Sequence, residues 1–562
     1  MTSYVVKLPV FKLSSIRPEF LKDDLIAGIT VSLVAIPQAL AYAQLAGVPP
    51  IYGLYAALVP TIIGAVFGSS RQLSTGPVAM TSLLTAASVA PLATAGTDQF
   101  YSFVILLALV SGLFQIVFGA LRMGVLLNFL SHPVLMGFIN AAAIIIGLSQ
   151  LPTFLGIKAD QSSHFILDIF QVILHISKMN GMSLAFGVAA IAILYSFKRF
   201  APKLPGVLIT VVVLTIVSYE VGYAQLGGQT VGAVPKGLPS FSLPPLDWGA
   251  TISLVPAGFV IALISFMEAM SSAKVIAIKT REPWDENKEL IGQGLAKVAA
   301  AFCHSMPVSG SFSRSALNLA SNARTGLSSV IAALFVLLTL LFLTPLLYHL
   351  PKPVLAAIIM MAVMGLVNFK IILSAWRANR DDGIAAILTF VATLTFAPNI
   401  QNGILTGIIL SLSLLLYRMM RPRIALVGMH QDGTLRDIQR HNLTRLHPKI
   451  GAIRFDGALR FINVSFFENA LLKLEREDPQ INFVLVKGSG INALDASGAD
   501  MLANLIFRFR NNGITLTFCD LKHQVRDVME RTGLIQIIGQ ENIFATGREA
   551  VEALTTRLEN AK

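Results

Sequence analysis

The chain has 562 residues, of which 54% are hydrophobic and only 13% are charged, and its mean hydropathy is +0.69. A soluble domain has about a quarter of its residues charged, so this composition excludes a chain that is soluble throughout. The two cysteines, Cys303 and Cys519, lie too far apart for a disulfide framework or a cysteine metal cluster. The formal net charge of +12 comes mostly from Lys and Arg beside apolar runs, which favours control of membrane topology over nucleic-acid binding.

The N-terminal segment, residues 1–23, carries Lys7, Lys12, Arg17 and Lys22 ahead of the first apolar run. No small-residue cleavage site follows, so the pattern is not that of a signal peptide. We expect this segment to lie in the cytoplasm.

Apolar runs then fill residues 24–417, which we predict to be the transmembrane domain. Because a crossing helix needs ~20 residues, this stretch predicts about fourteen membrane segments. The amphipathic stretch 162–178 is short, and we expect it to lie at the membrane interface. The predicted segments lie near 24–45, 50–68, 75–93, 100–121, 125–154, 182–198, 205–222, 254–279, 287–304, 309–322, 326–349, 353–376, 383–397 and 400–417.

Basic residues are distributed unequally between the two sides of these segments. The connections on the side of the N-terminus carry most of the Lys and Arg, whereas Lys158, Lys236 and Lys352 fall on the opposite side. This asymmetry is typical of the positive-inside pattern. It predicts a multi-pass protein of the cell's inner (plasma) membrane with both termini in the cytoplasm.

The composition of the sequence changes near residue 450, where charged residues become more frequent. Short strand-like runs alternate with helix-like segments, which is typical of a small α/β domain. We predict this domain at 449–562, with 418–448 as a linker. The expected strands are 452–455, 459–464, 482–486 and 514–518, and the expected helices are 465–476, 497–511 and 521–531.

Two of the predicted membrane segments are interrupted by Gly, Pro and hydroxyl residues. Residues 74–80 read STGPVAM in the third segment, and residues 307–314 read PVSGSFSR in the tenth. The odd offset implies that the two halves of the domain are inverted relative to each other. A polar residue, Gln38 in the first segment and Glu268 in the eighth, precedes each break at similar spacing. Paired interruptions of this kind are typical of a transporter binding site.

Helices that start at mid-membrane leave their first N–H groups unpaired and carry partial positive charge there. Two such ends facing each other form a site for an oxyanion without any charged side chain. The alternative is a simple kink at Gly76-Pro77 together with helix-packing contacts at 309–313. We favour the binding site because the two interruptions occur together.

Two ionisable residues, Glu268 and Arg314, fall inside predicted membrane segments. Such groups usually face the interior and pair, so we expect the two to be partners. The pair is interpreted either as a structural contact or as a carboxylate that titrates and couples proton movement to the anion. We expect Lys274 to snorkel at the cytoplasmic end of its helix, and Lys297 has no assigned role.

Gln38 and Tyr42 lie four residues apart and therefore share one helix face. An amide and a phenol can each donate a hydrogen bond to an anion without adding a full charge. Polar packing between helices is the alternative interpretation of this pair.

Several stretches resemble the sulfate permease (SulP) family of anion transporters. They are DLIAG at 24–28, PQALAYA at 37–43, VPPIYGLY at 48–55, GSSRQ at 68–72, PKGLP at 235–239 and GSFSRS at 310–315. The C-terminal part resembles the STAS domain that ends these proteins. The resemblance covers almost the whole chain.

The resemblance implies an α-helical polytopic fold of fourteen segments in two inverted repeats of seven, divided into core and gate subdomains, with a cytoplasmic STAS domain. It also implies an elevator-like movement and a homodimer. Its substrate site would lie between the starts of the third and tenth segments, beside the first. Carried over, the substrate-binding residues are Gln38, Tyr42, Gly76, Pro77, Val78, Ala79, Ser311, Phe312, Ser313 and Arg314.

Glu268 matches the acidic position of proton-coupled plant sulfate transporters, whereas sodium-coupled bicarbonate members have aspartate there. The resemblance therefore implies proton-coupled sulfate uptake by a secondary active transporter, with the proton as coupling ion and no further cofactor. Sodium-coupled bicarbonate or dicarboxylate transport, anion exchange and a channel mode remain alternatives.

STAS domains related to anti-sigma-factor antagonists have a phosphorylatable serine, and the matching position is Ser497. We interpret Ser497 mainly as a helix N-cap, with a regulatory role as the alternative.

The two other classes of function are a membrane-embedded enzyme and a sensor. A membrane-embedded enzyme would need a nucleophile–base pair or a metal cluster, and Cys303, His304 and His132 have no partners at useful spacing. We therefore expect no enzymatic activity. A sensor that signals through the STAS domain is permitted but not required by the sequence. The expected partners are sulfate or a related small anion, the lipid bilayer, a second copy of the chain and a cytoplasmic partner of the STAS domain.

Overall fold

The computed structural model describes residues 18–124, 131–157, 165–201, 204–235 and 237–560. Residues 1–17 and the basic residues Lys158 and Lys236 lie outside the described part, so the structure does not bear on their expected positions. The chain divides into two compact units, Met1–Ser411 and Leu412–Lys562.

The first unit is built from helices and one very short sheet. Within the described residues, nine helical stretches are long and apolar enough to cross a membrane. Its elements are α1 (Pro18–Leu45), α2 (Pro50–Phe67), β1 (Ser74–Gly76), α3 (Ala79–Val89), α4 (Asp98–Ala120), α5 (His132–Ser149), α6 (Leu151–Leu155), α7 (Phe165–Leu174), α8 (Gly181–Phe200), α9 (Gly206–Val221), α10 (Trp248–Thr280), α11 (Glu286–Phe302), β2 (Ser309–Ser311), α12 (Phe312–Ala320), α13 (Leu327–Leu338), α14 (Lys352–Met364), α15 (Phe369–Ala378), α16 (Arg380–Phe396) and α17 (Ile400–Met420), which runs into the second unit.

A helix lies at the place of every predicted membrane segment, but the segment predicted at 353–376 is two helices. The first, α14, is largely buried, whereas α15 has no buried residue and one strongly apolar side. The chain leaves the helix after Met364 at Gly365, so the stretch Lys352–Ala378, which is long and apolar enough to cross a membrane, consists of two helices and not one. The amphipathic stretch expected at the interface contains α7, in which only Val172 is buried.

The helices of the first unit pack in two groups. In one group, α1, α2, α4, α10, α11 and α13 pack on one another around the short sheet and the half-length helices α3 and α12. In the other, α5, α6, α8, α9, α14 and α16 pack together. Helix α1 touches both groups, because it also contacts α9 and α14.

The second unit is an α/β domain with a six-stranded sheet. Its strands are β3 (Arg423–Met429), β4 (Leu435–Asp437), β5 (Ile450–Asp456), β6 (Phe483–Lys487), β7 (Thr515–Cys519) and β8 (Ile543–Phe544), in the order β4-β3-β5-β6-β7-β8. Strands β5 to β8 are parallel, whereas β3 is antiparallel to both of its neighbours. The helices are α18 (Ile438–His441), α19 (Val464–Glu477), α20 (Ala496–Asn511), α21 (His523–Arg531), α22 (Leu534–Ile538) and α23 (Gly547–Asn560).

Two expectations for the C-terminal part were wrong. The expected linker 418–448 contains strands β3 and β4, which extend the sheet on its antiparallel side. The expected strand 459–464 is a turn that leads into α19, because only Leu459 makes a β-bridge there, with Leu494. Leu459 and Val464 of that stretch pack into the hydrophobic core of the domain, whereas Phe461 is 71% exposed.

Candidate functional site

The two interrupted segments meet in the structure. Strands β1 and β2 pair antiparallel, with Ser74 opposite Ser311, Thr75 opposite Gly310 and Gly76 opposite Ser309. All residues of both strands are buried. Irregular backbone at this depth is tolerated only where it is buried in protein or lines a cavity, and mutual pairing satisfies part of it.

Each short strand leads into a half-length helix, so the N-termini of α3 and α12 start beside the same sheet. The cap of α3, Val78, has no side chain that accepts a hydrogen bond. The cap of α12, Ser311, accepts one bond, from the Arg314 N–H at 3.4 Å. The other first-turn N–H groups have no acceptor within their own helices, so partial positive charge gathers where the two helices begin.

Arg314 ties these elements together from a buried position, with its side chain 2% exposed. Its Nη1 donates to the Pro77 carbonyl oxygen at 2.9 Å and to Gln38 Oε1 at 3.3 Å. Its Nε lies 3.4 Å from Ser74 Oγ. The guanidinium of Arg314 therefore links α12 to α1 through Gln38, to β1 through Ser74, and to Pro77, which lies between β1 and α3. Its Nη2 is buried without a hydrogen-bond partner.

Gly76 makes room for this arginine. A Cβ atom added at Gly76 would lie 2.9 Å from Arg314 Nη2, closer than such atoms normally approach. Arg314 also borders a small cavity that is lined by Thr61, Ser74 and apolar residues of α1, α2 and α13.

The remaining predicted binding residues divide by exposure. Val78, Ala79 and Tyr42 are buried beside the helix starts. Phe312 is 58% exposed and Ser313 is exposed, so the first turn of α12 presents both to the surroundings. The Ser313 hydroxyl lies 3.4 Å from that of Ser311.

The expected ion pair between Glu268 and Arg314 is not formed. Among the described residues, the donors of Arg314 go to Gln38, Ser74 and Pro77, and Glu268 Oε2 is buried without a hydrogen-bond partner. Arg314 instead donates to oxygen atoms of the other interrupted segment, at Ser74 and Pro77, and of α1, at Gln38. Glu268 nevertheless lies within electrostatic reach of Arg314, and Ser309 of β2 is its neighbour.

Lys297, which had no assigned role, belongs to this region. Its side chain is fully buried, and its Nζ donates to Gln115 Oε1 and to Ser265 Oγ, both at 2.7 Å. Its charge also acts on Glu268. Sequence spacing did not indicate this position, because the three residues come from α11, α4 and α10.

A second polar chain that was missed from the sequence supports β1 from α11. Gln293 Nε2 donates to Thr75 Oγ1 at 2.8 Å and to Glu289 Oε1 at 3.0 Å. Glu289 Oε2 in turn accepts from the N–H groups of Ser69 and Ser70, at 2.8 and 2.9 Å. The turn before β1 is thus fixed by one buried carboxylate, whose negative charge backbone donors stabilise.

The prediction that Ser497 is a helix N-cap was wrong. Asp495 caps α20 by accepting from the Gly498 N–H at 2.9 Å, and it also accepts from the Phe461 N–H at 2.8 Å. An aspartate is as good a cap as a serine, and its carboxylate can take both donors. Ser497 is the second residue of the helix and is exposed.

Comparison with known proteins agrees with this architecture. Residues 21–416 match the model of the sulfate permease family, and residues 443–550 match the STAS domain. The chain is 34% identical to "Sulfate transporter 4.1, chloroplastic" of Arabidopsis thaliana over 95% of its own length and 80% of that protein. It is 30% identical to "Probable sulfate transporter Rv1739c" of Mycobacterium tuberculosis, over 96% of each chain.

The fold is similar to a solved structure of the murine Solute Carrier 26 family member A9 anion transporter in the inward-facing state. The TM-score is 0.88 at 20% identity, over 96% of this chain and 93% of that one. At that identity the likeness shows the fold. Taken with the matched family model, it shows that the chain is a multi-pass membrane protein of the sulfate permease family with a C-terminal STAS domain.

Proposed function

We propose that the protein is a secondary active anion transporter that takes up sulfate together with protons. The observation that carries this proposal is the pairing of β1 with β2, which starts α3 and α12 at one place beside Glu268. Paired half-helix N-termini attract an oxyanion, and a carboxylate beside them supplies a group that can bind and release a proton.

Sulfate as the cargo is supported by both the relatives and the site. The similar proteins of Arabidopsis thaliana and Mycobacterium tuberculosis are named as sulfate transporters. A divalent oxyanion has four oxygen atoms to accept hydrogen bonds, and the unpaired N–H groups of two helix starts, with Ser311 and Ser313 beside them, are donors of the matching kind.

Proton coupling is supported by the surroundings of Glu268. Its Oε2 is enclosed without a hydrogen-bond donor, so in the apolar interior nothing on that oxygen stabilises the ionised form. An arriving anion adds negative charge nearby and favours the protonated carboxyl further. Anion and proton would therefore bind with positive cooperativity, which is the basis of symport.

An elevator-like movement is supported by the two packed groups of helices. The group around β1 and β2 holds every residue of the site and would form the moving core, whereas the group of α5, α8, α9, α14 and α16 would form the gate. Inverted repeats of seven segments fit the recurrence of strand then half-helix in β1–α3 and β2–α12.

We also propose an assembly and a location, which rest on the family resemblance and on the distribution of basic residues. We expect a homodimer in the cell's inner membrane, with the N-terminus and the STAS domain in the cytoplasm, where that domain would meet a partner. Ser497 is exposed in the first turn of α20, where an added phosphate is electrostatically favourable, so a regulatory role remains a prediction. The proposed function is tested by uptake of radiolabelled sulfate into liposomes that hold the purified protein, with and without an inward proton gradient.

A further inference from the structure

Lys297 is a lysine buried among predicted membrane helices, and its direct hydrogen-bond partners are neutral. Both of its hydrogen-bond acceptors, Gln115 and Ser265, are uncharged, and among the described residues no carboxylate forms an ion pair with it. A buried charge in a membrane protein is costly and usually serves function. Neither neutral partner cancels the positive charge of the lysine.

The position of Lys297 is firmly fixed. A Cβ atom added at Gly112 of α4 would lie 2.9 Å from both the Gly294 carbonyl oxygen and Lys297 Cβ, so only glycine permits this close crossing of α4 and α11. Gln115 is held as well, because its Nε2 donates to the Ala262 carbonyl oxygen at 2.8 Å. The ammonium group therefore has a defined place between α4, α10 and α11.

This place is connected to the short sheet. The Ser265 side chain accepts from Lys297, and its carbonyl oxygen accepts from Ser309 Oγ at 2.8 Å. Ser309 is the β2 residue opposite Gly76. Glu268 lies one helical turn after Ser265 on α10, within electrostatic reach of Lys297 and Arg314.

The charges that meet at the site are those of two cations and one carboxylate. Glu268 is faced by Tyr42 from α1, Lys297 from α11 and Arg314 from α12. Among the described residues of the first unit, the other buried carboxylates lie in the first two turns of helices and are bonded to backbone N–H groups. They are Glu289, at Ser69 and Ser70, and Asp24, at Arg324 and Thr325.

These charges have a simple consequence for the bound anion. When Glu268 is protonated and Lys297 carries its charge, Lys297 and Arg314 leave two positive charges, which a divalent anion neutralises. If Lys297 were neutral, Arg314 alone would remain, and a monovalent anion would suffice. Uncompensated charge in a low-dielectric interior is strongly unfavourable, so this difference selects between anions.

We propose that Lys297 is a specificity-determining residue that makes the site select divalent over monovalent anions. The proposal rests on the proposed function for the place where the anion binds, and it adds the residue that sets the anion's charge. Lys297 acts through its charge and is linked to β2 only through Ser265 and Ser309, so it need not touch the anion.

Lys297→Met in the full-length protein tests this proposal. Equilibrium binding of radiolabelled sulfate and of radiolabelled bicarbonate is measured separately on purified protein, and the ratio of the two dissociation constants is compared. We expect the preference for sulfate over bicarbonate to fall by at least ~10-fold in Lys297→Met. Lys274→Met is the matched control, because Lys274 is exposed on α10, and its ratio should equal that of the wild type.

Gln115→Glu is the second variant, and it keeps the lysine and the side-chain volume. Its carboxylate would pair with the Lys297 ammonium, cancel its charge and lower the ratio in the same direction. An unchanged ratio in a folded variant of either kind, or a wild type that prefers bicarbonate, would overturn the proposal. A wild type that neither binds nor takes up sulfate would instead contradict the proposed function.

Discussion

The Arg314 guanidinium donates to the Pro77 carbonyl oxygen at 2.9 Å, joining the helix that follows one interrupted segment to the turn of the other. The two residues are far apart in the sequence, yet this bond connects the two helix starts directly, in addition to the pairing of β1 with β2. Arginine suits the position because its planar fork reaches several acceptors at once. Gln38 and Ser74 take the other bonds.

Arg314→Lys should weaken sulfate binding at least ~10-fold and lower the free energy of unfolding by about 2 kcal/mol, because the single nitrogen of lysine cannot reach the acceptors that Nε and Nη1 of Arg314 reach from two different places. The dissociation constant and thermal unfolding in detergent measure the two effects. Arg324→Lys is the control, since the Arg324 side chain is half exposed in an ion pair with Asp23 and should change neither quantity much. Wild-type affinity in Arg314→Lys would remove Arg314 from the site.

Gly76→Ala should displace the Arg314 guanidinium and lower sulfate affinity by ~10-fold, a loss that corresponds to about 1.4 kcal/mol of binding free energy. The added Cβ atom would meet Nη2 at 2.9 Å. The matched control is Gly181→Ala, because a Cβ atom there meets nothing within 4 Å. Equal affinities in the two variants would show that the space beside Gly76 is not needed.

Glu268→Gln should abolish sulfate accumulation driven by a proton gradient while sulfate exchange at equal pH continues. The amide keeps the shape of a protonated carboxyl but cannot release a proton. Uptake and exchange of radiolabelled sulfate in liposomes separate the two activities. Glu220→Gln changes an exposed glutamate of α9 in the same way and should leave both intact. Gradient-driven accumulation in Glu268→Gln would assign proton coupling to another group.

Asp495→Ala should destabilise the start of α20 by about 1 kcal/mol, the usual worth of an N-cap, whereas Ser497→Ala should have no such effect. Faster amide hydrogen exchange at Gly498 in Asp495→Ala, and an unchanged rate in Ser497→Ala, would agree with the cap seen in the structure. The reverse pattern would restore Ser497 as the cap.

Hydropathy was enough to predict a helix at the place of each membrane segment, although the segment at 353–376 is two helices, and the family resemblance is confirmed by the matched family model. The two interrupted segments were also visible, because Gly, Pro and Ser are conspicuous in an apolar run. That their strands pair directly was not predicted, since pairing between Ser74 and Ser311 depends on how the whole domain packs.

Side-chain partners were the part that the sequence could not supply. Glu268 and Arg314 were paired because they are opposite charges at the same depth, but nearer oxygen atoms occupy the arginine. Lys297 was left without a role because its acceptors come from two other helices. In the C-terminal domain, the antiparallel strand β3 was mistaken for part of a linker, because the strand precedes the rise in charged residues near residue 450.

The central claim is that paired helix starts beside Glu268 move sulfate with protons, and its most direct measurement is radiolabelled sulfate uptake into liposomes containing only the purified protein. An inward proton gradient should drive accumulation above equilibrium, and a protonophore should abolish it. Sulfate uptake that ignores the gradient would contradict proton coupling. Absence of sulfate uptake, with sodium-driven bicarbonate uptake in its place, would contradict the proposed cargo.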